Sequence, residues 1–385
     1  MEKKSVYKIV LTGGPCSGKT TALAELREAF SKDFAVYTVP EVATTAITAG
    51  VALAPGNLTP EQSLELNGAV CQLQVDLEAF FERVATASGR PALVFCDRGV
   101  CDNFAYITPE NKQKLLEQKG WNANFVSHRR YDLVVHLVTA ALGAAQFYTL
   151  ANNQARSEGP EAAAELDRKV RQEWQSHPRF EVVDNGRAGG FDEKLERVKK
   201  LVLDLIGQPG ASLASEHRKY LLNDFNKECL KSKPDSPHQL INPTAYRETR
   251  TFLASAKPDL VHWVGRRAEE PPTPYPVFWY TMRKMSKNQQ ERIQQRRIIG
   301  EKGYNDLLNQ RDPELKEVHV LSQSFMVEKE GAVRVFTIET TEVGDRTLHV
   351  LRTTSSRENI PSFLNVGEDI SDDPKYMTYE LAKAE

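Results

Sequence analysis

The sequence predicts an α/β unit with a parallel sheet built around a phosphate loop, followed by an α+β unit whose sheet is mainly antiparallel. Three observations carry this expectation. Residues 6 to 21 are an apolar strand running into Gly-x-x-x-x-Gly-Lys-Thr. Continuous apolar runs then alternate with helical patterns through the first half, the signature of parallel strands joined by right-handed crossovers. Beyond residue 214 the texture changes to β-like pieces joined by turns, such as 331–339 and 346–352.

The first strand ends in Thr12-Gly13-Gly14-Pro15-Cys16-Ser17-Gly18-Lys19-Thr20-Thr21. Glycines let successive backbone amides curl around phosphates, and a helix opening at Lys19 aims its positive end at the same anion. In such a loop the lysine reaches the β- and γ-phosphates and the following hydroxyl holds Mg²⁺. Gly13, Gly14, Pro15, Cys16, Ser17, Gly18, Lys19, Thr20 and Thr21 are therefore the candidate nucleotide-binding set, with Thr20 a metal ligand. Residues 22–30 form good helix, and Phe34 to Val39 reads as a second strand ending at Pro40-Glu41. Helix resumes after Thr59-Pro60-Glu61, where Leu66, Val70, Leu73, Leu77, Phe80 and Val84 recur at helical spacing and are expected in the core. Further buried strands are expected at 91–99, 132–138 and 179–184, and an amphipathic helix at 195–206 closes the unit. Gly207 to Ser212 reads as linker, giving domains at 1–207 and 215–385 joined by 208–214. In the second domain helical patches are expected between Gln289 and Gln310, and Glu269 to Pro276 reads as an exposed proline-rich loop.

The 385 residues are 40% hydrophobic and 26% charged, an ordinary globular composition, with a formal net charge of −2. That balance excludes the global basic field of a dedicated nucleic-acid binder. The five cysteines are odd in number and dispersed, without CxxC spacing, which fits a reducing cytosol better than a disulfide framework. No apolar run approaches the length of a bilayer span, and residues 1–4 lead into the first strand without a signal-peptide core. Cytoplasmic location follows as an expectation, with membrane contact at most peripheral.

An acid at the end of the third strand is where an Mg²⁺–nucleotide site needs one, because strand C-termini and the phosphate loop share one sheet edge. Asp97 is that acid, and Arg98 beside it is placed to bind phosphate or an acceptor anion. Glu41, ending the second strand, could take a hydroxyl proton in phosphoryl transfer, or could be a surface carboxylate. Arg156, in the polar stretch 151–159, is the candidate lid cation over the phosphates. Arg168, Arg171, Arg129 and Arg130 are expected to be solvated. Asn185, after the last strand, could contact a base or form an Asx turn. There is no Asn-Lys-x-Asp guanine motif, so GTP and ATP are not distinguished.

The motifs at 13–21, Pro40-Glu41, Cys96-Asp97-Arg98-Gly99, Arg130-Tyr131-Asp132, 136–141, 152–159, His177-Pro178 and Asp184-Asn185 together resemble the TRPL translocation defect protein 14 family. The resemblance spans nearly all of 7–206. It implies a doubly wound, nucleoside-kinase-like P-loop domain with a lid, GTP binding, phosphoinositide binding and a link to membrane trafficking. More loosely, 360–370 and 376–381 resemble the end of that family's second domain, which is similar to the CYTH or triphosphate-tunnel fold, an antiparallel barrel lined by Arg, Lys and Glu. Its opening Glu-x-Glu-x-Lys strand would correspond to Ser215, His217 and Lys219, and a later strand that should end on acids ends on Leu351-Arg352. With metal-holding carboxylates lost, such a cavity would bind phosphates rather than cleave them. Lys219, Arg283, Lys284, Arg292, Arg296 and Arg334 are the candidate anion contacts, and 283–302 carries seven basic residues against two acidic, a net +5. A solvated helix face is the bland reading of that run. The leading expectation is a nucleotide-switched protein that also binds a phosphorylated ligand such as an inositol-lipid headgroup. A nucleoside-type kinase and a C-terminal triphosphate hydrolase are the rivals.

Overall fold

The computed structural model describes residues 6–51, 58–122, 124–144, 159–185, 190–207, 218–223, 225, 230, 239–257, 259–269, 276–284, 293–329, 332–371 and 373–383, with the side chains of 124, 239–244, 269, 293–295, 297, 328, 329, 332 and 333 not described. The expected linker, the lid residue Arg156 and the basic residue Arg292 lie outside these ranges. Two compact units result, Met1–Val202 and Leu203–Glu385.

In the first unit, strands β1 (Val6–Thr12), β2 (Ala35–Val39), β3 (Ala92–Asp97), β4 (Leu133–Leu137) and β5 (Phe180–Val183) alternate with helices. These are α1 (Lys19–Phe30), α2 (Val42–Thr48), α3 (Pro60–Ala87), α4 (Pro109–Lys119), α5 (Pro160–Trp174) and α6 (Gly190–Ile206). The strand order is β2-β3-β1-β4-β5, and all four pairings are parallel. β1 lies between β3 and β4, so the chain leaves its C-terminal end where the strand order reverses, the crevice in which such sheets hold ligands. Every described residue of β3 but Asp97 is buried, as expected for a strand covered on both faces. The start of α3 is fixed chemically: Thr59 and Gln62 form a reciprocal capping box, and Pro60 sits in the first turn.

The buried face of α3 follows the apolar spacing only in part: Val70 is buried and Leu77 packs against the core, but polar side chains share that face. Leu73 and Phe80 are 40% and 50% exposed, while Cys71, Gln74, Glu78 and Ala85 face inward. Glu78 is tolerated there because one oxygen is hydrogen-bonded and the other faces two cations. Its Oε1 accepts from Tyr131 Oη (2.7 Å) and Gln74 Nε2 (2.9 Å), and its Oε2 lies 3.7 Å from Lys8 Nζ and 3.6 Å from Arg130 Nε. A buried acid with fixed cations outranks an apolar side chain that finds no partner on the sheet.

The second unit is a nine-stranded sheet in the order β10-β9-β8-β7-β11-β12-β13-β6-β14, every neighbour antiparallel. Its strands are β6 (Arg218–Leu222), β7 (Gln239–Phe252), β8 (Leu260–Glu269), β9 (Val277–Lys284), β10 (Ile293–Ile299), β11 (Val318–Lys329), β12 (Ala332–Val343), β13 (Arg346–Thr353) and β14 (Val366–Asp369), with short helices α7 (Glu301–Leu308) and α8 (Thr378–Ala382). Among the described residues, the helical expectation for Gln289 to Gln310 holds only for α7; 289–292 lie outside them. Residues 293–299 pair with β9 along their whole length, since the β-branched Ile293, Ile298 and Ile299 suit an extended edge once a partner strand exists. Among the described residues no helix is long and apolar enough to cross a membrane.

Replacing Phe80 with serine is expected to change unfolding free energy by less than about 0.5 kcal/mol, whereas Glu78→Ala, which takes the carboxylate from beside Arg130 and from Tyr131 and leaves Lys8 only Glu82, should cost about 3–5 kcal/mol. Denaturant midpoints of the two variants check the order.

Candidate functional site

The phosphate loop joins β1 to α1, and its backbone dictates its residues. Gly13 has φ +138°, and a Cβ there would meet the carbonyl oxygen of Leu137 at 2.0 Å. Gly18, at φ +90°, has the Phe191 ring packed where a Cβ would stand. Cys16 adopts the left-handed region at φ +55° although it is not glycine, the kind of strain that persists only where surroundings over-determine it. They do so here: Thr139 Oγ1 donates to the Pro15 carbonyl, and the amide of Ala140 donates to the Cys16 carbonyl at 3.1 Å.

Beneath the loop lies Asp167 of α5, fully buried. Its Oδ1 accepts from the amides of Gly14 (3.0 Å) and Thr139 (2.9 Å), and its Oδ2 from Arg171 (2.6 Å), with His136 Nε2 at 3.1 Å. Burial works against its charge, but His136 and Arg171 hold the carboxyl far below the usual range. From the other side Lys194 of α6 donates to the carbonyls of Ser17 (2.9 Å) and Val138 (2.7 Å) and to Asn185 Oδ1 (2.7 Å). Burial pushes this lysine down to about 7. Asn185 itself gives its Nδ2 to the carbonyls of Thr139 and Leu142, both at 2.8 Å. Its amide is thus engaged in bracing the loop after β4, leaving little capacity to read a base.

Lys19 lies across the loop, its Nζ donating to the carbonyls of Gly13 and Gly14 and to Ser17 Oγ, each at 3.1 Å. Burial, reinforced by the nearby Arg98 guanidinium, lowers it to about 8. Thr20 and Thr21 are exposed at the start of α1. Asp97 closes β3 on the same sheet edge, and its Oδ1 is buried with no hydrogen-bond partner among the described residues. Burial raises its pKa against the pull of Lys19, and Glu41 adds to the rise. No group of three or more His, Cys, Asp or Glu side chains able to hold a metal occurs among the described residues. A magnesium ion held by Thr20 and Asp97 would therefore take most of its ligands from phosphate and water, as this ion usually does. The orphaned Asp97 oxygen and exposed Thr20 hydroxyl fit that arrangement.

Arg98 also adopts the left-handed region, at φ +70°, which turns its guanidinium back toward the loop. It bonds Glu41 Oε1, the Gly13 carbonyl (3.2 Å) and Asp102 Oδ1 (3.2 Å). Glu41 Oε2 accepts from Thr44 (2.7 Å). Burial opposes its charge, but Arg98 and Lys19 bring Glu41 down to about 2. A carboxylate so low, with both oxygens engaged, is a weak proton acceptor; its geometry is that of an anchor for Arg98. Asp102 in turn accepts from Thr12 Oγ1 (2.6 Å), the Gly99 amide (3.0 Å) and Trp174 Nε1 (3.0 Å).

Asp102, Asp167 and Lys194 escape the sequence reading because acids and bases within helical turns look like solvated positions, and His136 because a histidine inside the apolar strand β4 looks like core. The single available signal is the i,i+4 spacing of Asp167 and Arg171. Arg171 is 1% exposed on its side chain and paired with Asp167, and Arg130 is buried beside Glu78, so neither is the solvated cation expected. Arg168 does lie toward the surface, against Glu165 at 2.7 Å.

In the second unit, pairing register collects charge on one sheet face. Lys219, Arg352, Glu339, Tyr246, Glu248, Arg250, Arg267, Trp279, Arg283 and Arg296 occupy in-register or alternate positions on that face. Arg334 and Lys284 fall on the opposite one, since strand neighbours alternate. Glu248 Oε1 accepts from Arg250 Nε (2.5 Å) and Oε2 from Arg267 (2.8 Å), while Glu339 Oε1 accepts from Arg352 (3.3 Å). Trp279 lies flat over Gly265, where a Cβ would meet its ring at 2.3 Å. Arg296 and Arg267 lie 4.1 and 5.0 Å from the centre of that ring, and Arg267 also lies 3.9 Å from that of Tyr246. Burial and the neighbouring Arg267 press Arg296 down to about 9.

Residues 8–193 match a family model described as an AAA domain. No curated protein sequence matches the chain. Two solved structures are similar to part of it, one titled hypothetical protein NE1496 and one titled inorganic triphosphatase NE1496. They are 14% and 16% identical, each covering 44% of this chain and 97% and 94% of their own, both with a TM-score of 0.26.

Because Lys19 sits at about 8 without a phosphate beside it, an incoming polyphosphate should restore its ordinary basicity and bind together with a proton above that pH. Calorimetry of nucleotide binding at pH 9 in buffers of different ionisation enthalpy should read this uptake, and Lys19→Met should abolish it.

Proposed function

We propose that the first unit binds a magnesium–nucleoside triphosphate, GTP or ATP, and that the second binds a phosphorylated ligand on its arginine-rich sheet face. The observation that carries the first half is the loop at 13–20, stationed at the reversal of strand order and facing a buried Asp97 oxygen without a partner. Thr20 and Asp97 would hold the magnesium ion, which supplies neutralisation of phosphate charge. Lys19 and Arg98 would meet the phosphates, and Asp167 with Lys194 would keep the loop in the shape that presents them. Resemblance to the TRPL translocation defect protein 14 family supports GTP as the nucleotide and an inositol-lipid headgroup as the second ligand. On that reading the protein works as a nucleotide-responsive binder at a membrane surface, with domains at 1–207 and 215–385.

Phosphoryl transfer to a small acceptor is the second reading, and Asp97 favours it over Glu41 as the proton acceptor. A carboxyl raised by burial, with a free oxygen, can take a proton that an arginine-locked carboxylate cannot. Arg156 would serve as its lid cation. Incubation with labelled nucleotide and a panel of nucleosides separates the two, since a phosphorylated product at useful turnover would displace the binding-protein reading.

A thermal-shift panel of GTP, ATP, their diphosphates and soluble inositol phosphates tests both halves, because ligands that bind only the folded state raise its melting point. Lys19→Ala and Thr20→Ala should each lose the nucleotide-induced shift, by at least about tenfold in affinity, or about 1.4 kcal/mol, while the free protein melts as before. Unchanged affinity in both variants would remove the site.

A further inference from the structure

Triphosphate-tunnel folds hold a divalent metal on carboxylates, and the carboxylates whose side chains are described on this sheet's charged face are not arranged to do so. The two whose side chains are described on the charged face, Glu248 and Glu339, already face cations. Glu248 gives one oxygen to Arg250 and the other to Arg267, and Glu339 accepts from Arg352. A metal at Glu248 would have to displace a guanidinium from each oxygen and then sit among the positive charges it had displaced, leaving each of them buried without its counter-ion. Arg250, Arg267 and Arg296 all act electrostatically on Glu248, and Lys219, Arg352 and Arg250 act on Glu339. Among the side chains described on this face the cations outnumber Glu248 and Glu339, an excess that a polyanion satisfies and a cation aggravates; Glu269 and Glu328 share the face by register.

A second observation points independently to a ligand. Arg267 is 2% exposed, yet its Nε and Nη1 have no hydrogen-bond partner among the described residues. Buried guanidinium donors without acceptors are costly unless something supplies them. Their plane is fixed by Tyr246 and Trp279, and Arg296 is held on the same tryptophan. The guanidinium groups are therefore placed before any ligand arrives, so little side-chain ordering remains to be done on binding.

We propose that this face captures a compact polyphosphorylated ligand through its arginines and Lys219 directly, without a divalent metal. The proposal rests on the reading of the second unit as a phosphate-binding one and adds the metal independence. Adjacent phosphate groups, in a linear chain or on an inositol ring, supply the acceptors that Arg267 lacks, and no bond to phosphorus is broken.

The test uses the full chain carrying Lys19→Ala, which silences the phosphate loop. It is titrated with inorganic tripolyphosphate and with inositol polyphosphates, in EDTA and again in excess magnesium. Binding in EDTA at least as tight as in magnesium, with no phosphate released, is the expected result. Adding Arg296→Met should weaken it by at least about tenfold, or about 1.4 kcal/mol. Arg283→Gln, a milder change on the same face, should weaken it less and guards against misfolding of the first variant. Tighter binding of the ring compounds would assign an inositol headgroup as the ligand, and the reverse a linear polyphosphate chain; either supports the proposal. Binding that appears only with magnesium overturns the metal independence and leaves the phosphate-binding reading standing. No binding in either buffer removes that reading as well.

Discussion

Asp167 carries the geometry of the phosphate loop. A loop that presents amides to an anion must satisfy its remaining polar groups inside, and a single buried carboxylate takes up the loop amide of Gly14 and ties it to the amide of Thr139 in the segment after β4. That carboxylate is affordable in the interior only because Arg171 and His136 face it. Lys194 mirrors it, meeting the inward carbonyls of Ser17 and Val138. The nucleotide-facing surface is thus set by an acid and a base that lie behind it.

Asp102 organises the neighbouring wall by the same physics. It ties the end of β1, the turn after β3 and Trp174 of α5 to Arg98, and Arg98 ties these to Glu41. Asp97 alone keeps an uncommitted oxygen. Of Asp97, Asp102 and Glu41, the latter two have both oxygens engaged.

Local patterns made the phosphate loop, the alternation of strands and helices, and the parallel sheet legible, because each is dictated by backbone conformation and by burial on both strand faces. The inward face of α3 was legible only at Val70 and Leu77. Periodicity counts apolar side chains, and Glu78 is buried for its partners on β1 and beyond β3, which are distant in sequence. The edge strand β10 was likewise hidden, since its run of charges reads as a solvated helix until β9 is there to pair with it. Of the second unit's expected anion contacts, register selects Lys219, Arg283 and Arg296 and sets Arg334 and Lys284 on the other side. Glu248 and Arg267 were missed because strand pairing, not spacing along the chain, brings them together.

Gly265 has no functional group, yet the charged face depends on it. Its bare Cα is the floor on which the indole of Trp279 rests, and the indole in turn carries two guanidinium groups close to its ring despite their mutual repulsion. Any larger residue at this position would tilt the ring and spoil that arrangement while leaving every charge in the sequence unaltered. Capacity to recognise a ligand can therefore be lost here by a change that no inventory of basic residues would register.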